Sequence, residues 1–242
     1  TVELAVVGGQ PDLARVLDDG PRHHHLAVVE VAQGAIVLDA GDADQADVDG
    51  NGVGDACEAV APPPGSVKEG DLVITELMID PDKSAAGVTL TEPAAEWIEI
   101  KNVTNKPIDL NGLQLFGKGT EKSSVLNFSL VIQPGAYLVL SSSADATKNG
   151  EVKSAWAYGS GLSLSNSTQD IVELHLGGVV VDKVDFTMGS GGWLKASGAS
   201  LQLSDAKTDA LSNDLPASWC VSTTPWAGGD KGSPGSANAV CK

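Results

Sequence analysis

From about Gly70 to the C-terminus, short apolar runs alternate with turn residues repeated every dozen residues or so. Residues 72–79 (L-V-I-T-E-L-M-I), 96–101 (E-W-I-E-I-K), 108–110, 113–116, 124–128, 136–141, 171–176, 179–186 and 200–203 read as strands. Asn111-Gly112, Pro134-Gly135 and Gly177-Gly178 punctuate them, and Gly177-Gly178 leaves the two-residue gap of a tight hairpin. No stretch sustains a 3.6-residue period, so no long helix is expected. Many short strands with frequent turns predict an all-β fold, an antiparallel β-sandwich. In 96–101 the alternation sets Trp97, Glu99 and Lys101 on one face and Glu96, Ile98 and Ile100 on the other.

The chain before Gly70 has a different texture. Residues 61–69 open with A-P-P-P-G-S, where successive prolines hold an extended, unbonded backbone, and they read as a linker to a β domain at 70–242. Residues 1–40 are poorly defined. T-V-E-L-A-V-V and H-L-A-V-V-E-V-A-Q-G-A-I-V-L-D flank a turn at Asp18-Asp19-Gly20-Pro21, which makes a candidate hairpin, although a lone hairpin is marginal in water. His23-His24-His25 sits by that turn and reads as exposed rather than as a metal site.

Residues 41–60 carry the densest chemistry. From Asp42 to Glu58 the run D-A-D-Q-A-D-V-D-G-N-G-V-G-D-A-C-E holds no lysine or arginine. Asp47, Asp49, Asn51, Asp55 and Glu58 fall at positions 1, 3, 5, 9 and 12 of a calcium loop, with Gly52 at the sharp turn and the Val53 carbonyl at position 7. Calcium takes six to eight oxygens, and four carboxylates, an amide and a peptide carbonyl suit it. A solvated acidic linker is the other reading of such a run. The ligand spacing favours the cation, without which these carboxylates repel one another.

Charge and cysteine usage narrow the classes. A net charge of −17 and a pI of 4.4 argue against nucleic acid, whose phosphates call for Lys and Arg, and against an anionic membrane surface. No run of about eighteen apolar residues exists to span a membrane, and no signal peptide is visible, so a secreted form implies a leader removed or lying upstream. Acidity with calcium spacing points to the outside of a cell or its surface. Cys220 and Cys241 flank a Gly/Pro/Ser-rich tail with little apolar material, and a bridge there contributes about 3 kcal/mol by restricting the unfolded chain. That pairing leaves Cys57 over, whereas a reducing compartment would leave all three cysteines as thiols.

Two resemblances follow from quoted motifs. D-Q-A-D-V-D-G-N-G-V-G-D-A-C-E, from Asp44 to Glu58, resembles a single thrombospondin type 3 repeat. The repeat usually occurs in tandem with its cysteine bonded to a neighbour, but here one copy stands alone and Glu58 replaces the usual aspartate. G-D-L-V-I-T-E-L-M, E-W-I-E-I-K-N-V-T-N-K-P-I-D-L-N-G-L-Q-L, L-V-I-Q-P-G-A-Y-L-V-L and the closing W-C and G-D-K-G-S-P-G-S-A-N resemble, in order, the lamin tail domain in its bacterial, extracellular form. The resemblance spans about residues 70–238 and implies an immunoglobulin-like β-sandwich with a binding or structural role. Leu113 stands where that family often has tryptophan, and residues 83–93 look like an insertion.

The remaining candidates for catalysis read as structure. Glu76, Glu96 and Glu99 are paired acids of a kind hydrolases use, yet their strand context points to capping or to bonds with backbone amides. His175, alone among histidines beyond residue 25, alternates with Leu174 and Leu176, and no G-x-S-x-G elbow is present. Asn102-Val103-Thr104 and Asn166-Ser167-Thr168 match the glycosylation triplet. Trp156, Trp193, Trp219 and Trp226 lie in turn-rich sequence, where a half-buried ring can meet a sugar or a protein. The expectation is a non-enzymatic, calcium-binding module, secreted or on the cell surface, for adhesion, scaffolding or contact with an extracellular protein or polysaccharide. The alternative is an anchoring or accessory fragment of a larger secreted hydrolase. The sequence leaves the oligomeric state open.

Overall fold

The computed structural model describes residues 67–82, 89–226 and 229–242, so the segment at 1–40, the calcium loop and most of the proline linker lie outside the described residues. Eleven strands follow in order: β1 (Leu72–Met78), β2 (Trp97–Asn102), β3 (Ile108–Asp109), β4 (Gln114–Phe116), β5 (Val131–Ile132), β6 (Tyr137–Ser141), β7 (Trp156–Ala157), β8 (Gln169–Leu176), β9 (Val179–Thr187), β10 (Leu201–Leu203) and β11 (Trp219–Val221). Among the described residues the only helices are two three-residue 3-10 turns, Asp205–Lys207 and Pro216–Ser218. A six-stranded sheet runs β11-β10-β1-β2-β6-β7, a three-stranded sheet runs β4-β8-β9, and β3 pairs with β5. Every strand pairing is antiparallel except β6 with β7.

The two larger sheets close on one core. Ile74, Leu77, Ile98, Ile100 and Leu140 meet Leu115, Val172, Leu174, Val184 and Phe186, all fully buried. Leu113, where the resemblance leads one to expect tryptophan, is also fully buried in this core. At roughly 2 kcal/mol for each large aliphatic side chain removed from water, this contact between sheets is the main source of stability. The β8–β9 hairpin turns at Gly177 and Gly178, whose φ of 61° and 82° is the mirror-image turn that two-residue connections require.

The predicted all-β sandwich is what the structure shows, with differences in detail. Residues 124–128, expected as a strand, are not one: only Leu126 turns inward, bonding its N–H to Leu113 O, while Val125 and Phe128 are about half exposed. Three strands were not anticipated, β5, β7 and β11, because two or three residues are too few to display a period.

The alternation in β2 holds, and both faces are covered apart from half-buried Lys101. Ile98 and Ile100 enter the core, while Trp97 faces a second cluster with Met78, Val139, Val152 and half-buried Trp226. A β-bulge between Ile74 and Glu76 gives β1 one residue more than β2. Ile74 pairs with Ile100 and Leu77 with Ile98, so both stay in the core, and Glu76 rather than Thr75 is turned to stand across from Glu99.

Candidate functional site: buried carboxylates and a polar cleft

Glu76 and Glu99 are fully buried on the outer face of the six-stranded sheet, beneath the C-terminal segment 232–238. Glu76 accepts from Ser200 Oγ, from Ser233 N–H at 2.9 Å and from Ser233 Oγ at 3.2 Å. Glu99 accepts from Thr75 Oγ1 and from Gly235 N–H, each at 2.7 Å. Asn238 fixes the same segment by donating Nδ2 to Thr75 O at 2.8 Å and to Leu203 O at 3.1 Å. Gly232 fits because a Cβ there would sit 3.2 Å from Glu76 Oε1 and 3.3 Å from the Trp97 ring. Burial raises both carboxyl pKa values, opposed by the hydrogen bonds; the neighbouring Glu76 raises Glu99 further, to about 8.

Of the other buried acids, Glu96 and Asp182 lie away from this pair. Glu96 accepts Leu164 N–H at 2.7 Å and is pushed up to about 9 by burial, with Glu92, Asp170 and Glu121 adding repulsion. Asp182 on β9 accepts Ile74 N–H and Asn213 Nδ2, each at 2.6 Å, and burial raises it to about 7. Main-chain amides thus hold all four carboxylates, as expected for Glu76, Glu96 and Glu99. A carboxylate engaged in this way ties distant segments together instead of facing a reactant.

Glu96 forms the floor of a cleft of about 580 Å3, walled by Glu92, Lys118, Glu121, Asp170 and the hydroxyl-rich loop 163–168. The cleft is bonded within itself: Asn166 Nδ2 to Glu92 Oε1 at 2.8 Å, Ser163 Oγ to Glu121 Oε1 at 3.2 Å, Ser165 N–H to Asp170 Oδ2 at 2.7 Å, and Lys118 Nζ to Gln169 O at 3.0 Å. Burial and the neighbouring Asp80 raise Glu92. Chemically, the cleft offers acceptors and hydroxyls to a polar ligand. No sequence signal marked it, because its walls come from three separate segments, 92–96, 118–121 and 163–170.

His175 sits half-buried on the outer face of β8, bonded to Glu173 Oε2 at 2.8 Å and tilted against Phe116 with ring centroids 4.2 Å apart. Trp156, Trp193 and Trp219 prove more deeply buried than loop-base rings, at 9%, 7% and 4% exposure, which removes them as sugar platforms. Trp219 donates Nε1 to Asn213 O at 2.8 Å. Of the two glycosylation triplets, Asn102 is unsuited: it is fully buried and its Nδ2 donates to Lys106 O and Ile132 O.

A disulfide joins Cys220 to Cys241 and anchors the C-terminal segment beside β10, where Cys241 N–H also meets Ser204 Oγ at 3.1 Å. Cys57 and the proposed ligands Asp47, Asp49, Asn51, Val53, Asp55 and Glu58 lie outside the described residues. Within those residues no three His, Cys, Asp or Glu side chains are grouped to hold a metal ion, and no helix is long and apolar enough to cross a membrane.

Compared with family models, residues 66–210 match the Lamin Tail Domain, more than half of the 242 residues. The chain belongs to the lamin tail domain family. Lamin tail domains are immunoglobulin-like modules, generally non-enzymatic, which agrees with the sandwich and with carboxylates held by backbone amides. Neither the curated proteins nor the solved structures contain a match to this lamin tail domain chain.

Proposed function

We propose that this lamin tail domain chain is a secreted or cell-surface module that binds calcium ahead of its sandwich and engages an extracellular protein or polysaccharide in adhesion or scaffolding. The observation that carries the reading is the Cys220–Cys241 disulfide, which pins the segment covering Glu76 and Glu99. Structural disulfides persist in oxidising compartments and are rare in reducing ones. Calcium rests on the ligand spacing of Asp47, Asp49, Asn51, Val53, Asp55 and Glu58. With a single repeat and a net charge near −2 around the ion, the loop has the affinity of an extracellular module, about 10⁻⁴ to 10⁻³ M.

Two measurements test this. Calorimetry of the whole chain should register calcium uptake in the millimolar range, and its absence there removes the calcium site. A pull-down against cell-wall and matrix material, with and without calcium, should retain the chain on one fraction. Retention on none removes the adhesive role.

A further inference from the structure

β9 is the longest strand and forms one edge of its three-stranded sheet. β8 bonds its inner side. On the other side Gly70 N–H closes one end at Val181 O, 2.8 Å away, and Ser190 N–H closes the other at Thr187 O, 2.9 Å away. Between these points, among the described residues, no backbone group outside β8 bonds the main chain of residues 182–186, although the Asp182 side chain accepts Ile74 N–H from β1. The remaining sheet edges among the described residues are shorter: β4 and β11 have three residues each and β3, β5 and β7 have two. An open edge is a template for another strand, and natural proteins guard against that with charged side chains.

The charges on this edge are self-complementary. Lys183 and Asp185 are exposed on the same face, either side of buried Val184. Val184 is also the midpoint of residues 182–186, whose outward main-chain groups have no backbone partner among the described residues. A two-fold axis through it sets each residue against the one equally far on the other side, so Lys183 of one chain meets Asp185 of the other, twice. Registers centred on Lys183 or on Asp185 place like charges directly opposite, which is destabilising. The turn at 209–215 flanks this edge, since Asn213 bonds Asp182, and it presents Leu211 and Leu215 at 79% and 56% exposure. Apolar area beside a pairing edge favours a partner that covers both.

We propose that β9 pairs antiparallel with β9 of a second copy of this chain, centred on Val184, with Lys183 of each copy opposite Asp185 of the other. The contact is isologous and closes on itself, as most homodimers do. It is independent of the calcium loop, so it stands or falls separately from the proposed function.

The test is sedimentation equilibrium of the full chain at low salt over a range of concentrations. A monomer–dimer equilibrium is expected, weakened by rising salt because the pairs are exposed. Lys183→Asp and Asp185→Lys should each weaken it by about tenfold or more, since each turns both attractive pairs into like-charged ones. An equimolar mixture of the two variants should regain the dimer, because one then presents two acids to two lysines. Recovery in the mixture also shows that both variants fold. The proposal is overturned if the wild-type chain is monomeric throughout, if both variants dimerise as the wild type does, or if the mixture is no tighter than its components. Should either variant lose its cooperative melt, the salt series on the wild type decides, and a dimer indifferent to salt overturns the pairing.

Discussion

Glu96→Gln isolates one buried carboxyl and the pH dependence it imposes. In the folded chain its pKa is about 9, against an ordinary 4.5, because burial disfavours the charged form and Glu92, Asp170 and Glu121 lie close. The folded state therefore keeps a proton that the unfolded state releases above pH 4.5. With fewer protons bound on the unfolded chain, stability falls as pH rises, and it does so from 4.5 until pH passes about 9. Each pH unit in that window removes about 1.4 kcal/mol, so by pH 7 the group has withdrawn roughly 3 kcal/mol relative to acid. Glutamine keeps an oxygen for Leu164 N–H and has no proton to lose. Urea unfolding of wild type and variant at intervals from pH 4.5 to 8.5 gives the comparison. The variant should match the wild type within about 1 kcal/mol at pH 4.5 and exceed it by roughly 3 kcal/mol at pH 7, with a shallower slope between. Parallel curves would show Glu96 ionised in the folded chain and refute the reasoning.

Further outcomes follow from the same structure. Glu99 and Asp182, raised to about 8 and about 7, act in the same direction as Glu96, so the wild-type melting temperature should be higher near pH 5 than near pH 8; a maximum on the alkaline side would contradict this. Removing the Cys220–Cys241 bridge by Cys241→Ser should lower stability by about 3 kcal/mol, measured by denaturant unfolding, and mass spectrometry of unreduced protein should find this one bridge with Cys57 free. Residues 70–242 expressed without the preceding segment should melt cooperatively, and a broad, featureless transition would deny them independence. Asp49→Ala in the full chain should weaken calcium uptake in calorimetry while leaving the melting transition of the sandwich unchanged.

The local sequence carried a good part of this structure. Short apolar runs bounded by turn residues marked β1, β2, β6, β8 and β9, and in β2 and β8 alternation also showed which residues share a face. Gly177-Gly178 marked the hairpin, since few residues accept positive φ, and the cysteines flanking a tail poor in apolar residues marked the disulfide. Glu96 and Glu99 were read correctly as partners of backbone amides. What they bond was not legible: Leu164 lies 68 residues from Glu96, and Gly235 lies 136 from Glu99. Nor was the bulge at Thr75, which moves Glu76 to the face of Glu99, because one extra residue leaves no trace in an alternating pattern. The tail's closure over that face, the cleft at Glu96 and the open edge of β9 belong to the tertiary structure alone. Face and turn are properties of a few consecutive residues. Burial, a raised pKa and a free edge depend on which distant segments arrive, and only the folded chain decides that.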